Sequence, residues 1–205
     1  MIEIGIAYPG EPLYTNISHF AQKVYLQQFD VQIDPTPDLF AYAIMENQLV
    51  GCLGLYRAQE NKELLFEGYV PDAYQKLTGN SNPSRKALAE LGTRVVQLPS
   101  AGSRSGDVSV ALTAALISTA YPLGIRYVGF TTTRLVKRVT DALGFNLINL
   151  GRPDLSNKDA AFQKDWEKFF RVPQMCAGFS ISSLDGCEAA LLKLKSNGIF
   201  VRNRT

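Results

Sequence analysis

The chain has 205 residues, 46% of them apolar and 20% charged, with 21 Lys and Arg against 19 Asp and Glu. One hydrophobic core can serve that length, so a single domain over 1–205 is expected, with no metal or disulfide needed to hold it. A net charge of +2 argues against a protein that grips long nucleic acid by charge alone and leaves room for a local basic patch.

Cys52, Cys176 and Cys187 form no C-x-x-C pair, which points to a reducing, cytoplasmic compartment. Met1 to Gly5 lack the basic and long apolar regions of a signal peptide. With no run of ~18 uninterrupted apolar residues, no spanning helix is expected. The apolar stretch from Val108 to Tyr121 carries Ser109, Thr113, Ser118 and Thr119 and reads as a buried core helix.

In chain order, Thr15 to Phe29 places Ile17, Phe20, Ala21 and Val24 on one helical face. Asp34-Pro35-Thr36-Pro37 blocks any helix after it. Leu39 to Met45 and Leu49 to Tyr56 are two β-like runs around a short polar turn, a hairpin signal. Leu64-Leu65-Phe66 reads as another strand, and Val70 to Leu77 as a short helix. Ala87 to Leu98 reads as a long strand, Pro99 to Gly106 as a Gly/Ser loop, and Asp107 as the N-cap of the core helix. Ile125 to Thr132 is a strand. Arg134 to Leu143 is a helix closed by Gly144. Phe145 to Leu150 and Met175 to Ser182 are strands, and Leu184 to Lys195 is a C-terminal amphipathic helix. Hairpins followed by strand–helix–strand–helix–strand give a mixed, twisted α/β sheet, with parallel neighbours in the second half.

Four places hold residues suited to chemistry. The loop Ser103-Arg104-Ser105-Gly106 before a helix is a candidate cradle for donor phosphates, because free N–H groups attract anions there and Arg supplies a fork. The same loop also reads as a solvated connection. Glu90, inside the apolar strand Ala87 to Gly92, is costly there unless paired or working. It is a candidate general base for an amine, or a structural partner of Arg85 or Arg94. Glu67 and Tyr69 follow an apolar run and suit an acceptor amine, or form an ordinary solvated edge. Thr131 and Thr133 stand where a strand becomes a helix, the place where open α/β sheets gather ligands, although Thr133 also reads as a helix cap. His19 is the only histidine; it lies off the apolar stripe and reads as a surface residue. No His/Cys cluster suggests a metal.

These segments resemble the thermostable hemolysin family, which belongs with the GNAT acyltransferases and the acyl-homoserine-lactone synthases. Leu65-Phe66-Glu67-Gly68-Tyr69 is similar to the family's "LFLEQYL" segment. Arg85-Lys86-Ala87-Leu88-Ala89-Glu90-Leu91-Gly92 is similar to "RxxIVEIGNL", and to the "EISRF" strand of autoinducer synthases. Phe130-Thr131-Thr132-Thr133 with Leu143-Gly144 resembles "FTAT…LG". Trp166, Phe169-Phe170, Pro173 and Ala177-Gly178 resemble "WGxYY…P…AG". Thr93-Arg94 replaces the family's Asn-Leu pair, and Phe169-Phe170 lacks its tyrosine hydroxyls.

The resemblance implies a GNAT fold whose donor lies in a V-shaped gap between the Ala87–Leu98 and Ile125–Thr132 strands. It implies an N-acyltransferase, with Glu90 and Glu67 as the acidic catalytic pair. Tyr69, Gly92, Thr93, Arg94, Thr131, Thr133, Trp166 and Phe169 would line the substrate sites. The expected co-substrates are acyl-CoA, acyl carrier protein or aminoacyl-tRNA with a small-molecule amine, in specialised biosynthesis, with no tightly bound cofactor, DNA or membrane. A monomer or homodimer is expected. A non-catalytic binding module and a membrane-damaging hemolysin are the alternative classes.

Overall fold

In the computed structural model, residues 1–81, 83–98, 104–132, 135–156, 158–169 and 175–202 are described, without the side chains of Asn80, Thr132, Leu135 and Phe169. Among these residues, eight strands form one sheet. They are β1 (Ile2–Ala7), β2 (Leu39–Met45), β3 (Gln48–Arg57), β4 (Leu88–Val96), β5 (Tyr127–Thr132), β6 (Ile148–Gly151), β7 (Met175–Ser180) and β8 (Ile199–Val201). Their spatial order is β6-β7-β5-β4-β3-β2-β1-β8. The α-helices among the described residues are α1 (Pro12–Phe29), α2 (Ala73–Thr78), α3 (Arg104–Ala120), α4 (Leu135–Ala142), α5 (Ala160–Phe169) and α6 (Asp185–Ser196).

The β2–β3 hairpin turns on Glu46 and Asn47, both with positive φ. Those dihedrals match the right-handed twist of the strands they join. Alternation divides the sheet into two faces. Leu39, Ala41 and Ala43 pack into the main core with α3, α4 and α6. Phe40 and Tyr42 point the other way, onto Ile17, Ala21 and Val24 of α1. On that second face a separate cluster covers the β4–β5–β7 region, where Leu88 and Cys176 meet Phe66, Tyr69, Val70 and Leu77.

The segment 104–123 is long and apolar enough, by length and composition alone, to cross a membrane. Its apolarity has a nearer cause: Ala111, Leu112, Ala114, Leu116 and Ile117 of α3 are almost wholly buried in the main core, as expected for that stretch.

Several expectations are corrected. The helix expected to begin after Asp107 begins at Arg104, so Asp107 sits in its first turn, where the helix dipole favours an acid. The run 64–66 is loop and turn rather than a strand, because the Leu65 and Phe66 amides turn to Glu90 and the Leu64 amide to Glu67. β5 and β6 are not neighbours; β7 lies between them, antiparallel to both. β1 is an additional strand, and Ile2, Ile4 and Ile6 alternate along it as in a half-buried strand. β4 and β5 are parallel as expected.

Phe66 is fully buried, and its ring occupies the space over Gly129 of β5. A Cβ added at Gly129 would stand 2.4 Å from ring carbons of Phe66. Gly129→Ala is therefore expected to lower stability by about 1–3 kcal/mol, read as a lower urea midpoint at unchanged slope. An unchanged midpoint would mean that the ring moves freely.

Candidate active site

β4 and β5 are paired over only three residues, Leu88↔Tyr127, Ala89↔Val128 and Glu90↔Gly129. Beyond that point the strands part, and each runs on alone on its facing side. The parting is reinforced from β3. Pairing passes from Cys52↔Val95 to Gly54↔Gly92, so β4 carries one extra residue there. Thr93 takes φ of 50°, the mark of a bulge that bends its strand. Past Glu90, β4 keeps its ladder with β3 and has none with β5.

Glu90 stands at the apex, where pairing ends. Its residue is 5% exposed. Neither Arg85 nor Arg94, the partners its sequence neighbourhood offers, forms an ion pair with it. The Leu65 N–H donates to Glu90 Oε2 at 2.7 Å, and the Phe66 amide adds a second bond. Burial pushes the carboxyl up to about 8; the two amides pull the other way, and the neighbouring Glu67 charge adds to the rise. Burial wins because two neutral donors replace less stabilisation than water supplied to the anion. A buried carboxyl titrating near neutrality, at the end of paired strands, is suited to take a proton.

Glu67 occupies a different station. Arg85 Nη1 and Nη2 donate to its two oxygens at 2.7 and 2.8 Å, and the Leu64 N–H donates to Oε2 at 2.8 Å. Arg85 also donates to the carbonyls of Gln59 and Lys62, each at 3.1 Å. One guanidinium thus holds the 59–67 loop at three points. This carboxylate is thereby tied to the loop.

Tyr69 is 3% exposed. Its phenol is pushed upward by burial, then by the Glu90 charge and by Cys176, which puts these groups in one electrostatic neighbourhood. Trp166 of α5 meets the Tyr69 ring edge-on at 4.6 Å, with Phe162 beside both. Thr131, at the end of β5, lies 3.6 Å (Oγ1 to Sγ) from Cys176. The Cys176 thiol is pushed up to about 11, chiefly by burial. The structure therefore gathers Glu90, Glu67, Tyr69, Thr131 and Trp166 around one apex, with Gly92 and Thr93 following on β4.

The expected donor-phosphate residues fare differently. Arg104 donates to the Asn197 carbonyl at the end of α6. Ser105 and Gly106 form the first turn of α3, and a Cβ at Gly106 would meet nothing. Arg94 reaches the same helix end, its Nη2 donating to Ser109 Oγ at 2.6 Å. Among the described residues no carboxylate forms an ion pair with Arg94. Ser103 and Thr133 lie outside the described residues, as does the side chain of Phe169.

Tyr56 joins the site without having been expected there. It faces Glu90 directly across the β3–β4 pair, and its OH is 2.5 Å from Thr93 Oγ1. The available signal was Gly54-Leu55-Tyr56, a glycine two residues before an aromatic on the same strand face.

An open mixed sheet with parted central parallel strands and a bulge in the first of them defines a GNAT-like acyltransferase fold, and solved structures agree. An acyl-homoserine lactone synthase, BjaI, described as CoA-dependent and solved with SAM and isopentyl-CoA, superposes with a TM-score of 0.65 at 15% identity, over 100% of this chain and 95% of that one. The AHL synthase LasI gives 0.58 at 15% identity, over 100% and 98%. FeeM, an N-acyl amino acid synthase from uncultured soil microbes, gives 0.53 at 13% identity, over 88% and 91%. No functionally curated protein matches by sequence. The thermostable hemolysin family model matches residues 7–183, and the chain belongs to that family.

Removing the Arg85 fork leaves the Glu67 carboxylate, whose side chain is 7% exposed, without its cation. Arg85→Met is expected to destabilise by about 2–3 kcal/mol. Lys137→Met, which breaks the exposed Lys137–Asp141 pair, should stay within about 0.5 kcal/mol. Denaturant melts compare them; equal losses would remove the loop-holding role.

Proposed function

We propose that the protein is an N-acyltransferase that joins an activated acyl or aminoacyl group to a small-molecule amine. The observation that carries this reading is Glu90: a buried carboxyl, held by two amides and pushed up to about 8 by burial, where the central strands part. The donor, drawn from acyl-CoA, acyl carrier protein or aminoacyl-tRNA, enters the gap between β4 and β5. Arg94, at the N-terminal end of α3 and without an acidic ion-pair partner among the described residues, meets the donor's anionic groups.

The acceptor amine lies on the second face of the sheet, beside Glu90 and Tyr69. Its nitrogen attacks the donor carbonyl carbon, forming a C–N bond and a tetrahedral oxyanion. Backbone N–H groups of β4 beyond Glu90, where the strand has no ladder partner in β5, stabilise that oxyanion. The proton on nitrogen passes to Glu90, directly or through one water. Collapse breaks the C–S or C–O bond, and the departing thiolate or alkoxide takes the proton that Glu90 received, directly or through the same water, which restores the base. Glu67 acts through the loop, as a positioning residue.

The similar structures support this reading, since they are described as acyl-homoserine lactone and N-acyl amino acid synthases. The test is mass spectrometry of reactions pairing each donor class with a panel of amines. Glu90→Gln is expected to lower kcat about 10²–10⁴-fold while donor binding persists. A base must be deprotonated to work, so kcat/KM should rise with pH and level off above about 8. No product from any donor, or a Glu90→Gln variant as active as the parent, would defeat the proposal.

A further inference from the structure

Gly54 of β3 and Gly92 of β4 are directly paired. Glycine weakens a strand interior unless something needs the space over it. Here the occupant is the Tyr56 ring. A Cβ added at Gly92 would stand 3.1 Å from Tyr56 Cε2, and one added at Gly54 would stand 3.3 Å from the same atom. Tyr56 starts opposite Glu90, lies along the sheet over both glycines, and ends with its OH on Thr93 at 2.5 Å. The ring therefore spans the distance from the carboxyl at the apex to the bulge.

Its surroundings show what the ring faces. The α1 cluster and the 58–77 cluster cover this sheet face on either side and share no buried residue. Tyr56 lies between them, packed against the second cluster but only partly buried. Pro37 closes one side, 3.1 Å from the Cβ position of Gly54, and the Pro37 carbonyl is itself held by Tyr14 OH at 2.5 Å. The floor is thus aromatic and apolar.

We propose that Tyr56 is the residue that sets the size of the acceptor, its ring filling the hollow over Gly54 and Gly92 and so selecting an amine with a short apolar body. This rests on the acyltransferase reading for which molecule is the acceptor. The hydrogen bond to Thr93 fixes the ring's position, and the ring's bulk sets the limit.

The test separates the two ideas by using binding as well as turnover. A series of straight-chain n-alkylamines is titrated into the protein by calorimetry, and the same amines serve as acceptors. Each methylene that finds apolar room raises affinity about four-fold, so affinity climbs with chain length and stops where the ring blocks it. Tyr56→Ala is expected to move that break to longer amines. Tyr56→Phe keeps the ring and should keep the break. Gly92→Ala, whose new methyl presses on Cε2, should move the break to shorter amines, so the outcome does not depend on one variant folding. Opposite shifts from Tyr56→Ala and Gly92→Ala support the assignment. The same break in all variants, or no binding of any amine, overturns it. A shifted break in binding with no turnover from any donor would leave the size gauge standing and remove the acyltransferase reading instead.

Discussion

The hydrogen bond from the Leu65 amide to the Glu90 carboxylate is the contact on which the site depends. It lets an acidic side chain stand in the sheet's interior without a counter-cation. An arginine partner would hold the carboxylate ionised and weakly basic. Two neutral amides hold its position yet leave burial free to raise its proton affinity. Those amides must therefore be fixed by something else. The Arg85–Glu67 fork does this, tying the loop at Gln59, Lys62 and Glu67. In the proposed transfer the charge pair sits one step removed from the reacting atoms, where it orients the loop without neutralising Glu90.

The second constraint is the sheet itself. Parallel strands that stay paired leave no entry. Here pairing ends at Glu90↔Gly129, and the extra residue at Thr93 bends β4 away. Phe66 links the two features: its amide serves Glu90, and its ring rests on Gly129, the last paired residue of β5. Base, gap and bulge are thus built by residues in contact, which is how a proton acceptor and an oxyanion site come to face the same reacting carbon in the proposed transfer.

Much of this was legible in the sequence, because it rests on local patterning. The β2–β3 hairpin, the α3 core helix and the β5 strand follow from periodicity and turn residues. Glu90 stands out as a carboxylate inside an apolar strand, Glu67 and Tyr69 as an acid and an aromatic after an apolar run, and the resemblance to the family covers all three. Their division of labour was hidden, since Arg85 is nearer in sequence to Glu90 than to Glu67 yet binds the latter. The 64–66 run has the composition of a strand, and a tertiary demand for its amides overrides that preference. The placement of the Tyr56 ring over Gly92 is not legible in the sequence, because it is set by strand register. The helix start at Arg104 was misplaced because Asp107 looks like a cap and serves instead as an acid in the first turn.

The most direct measurement is carboxyl-carbon NMR on protein labelled at glutamate, with the Glu90 resonance assigned by its loss in Glu90→Gln. A titration midpoint near 8 is expected for this one carboxyl. A midpoint in the ordinary range, about 4–5, would show that the two amides outweigh burial, and would contradict the claim that Glu90 is poised to accept a proton.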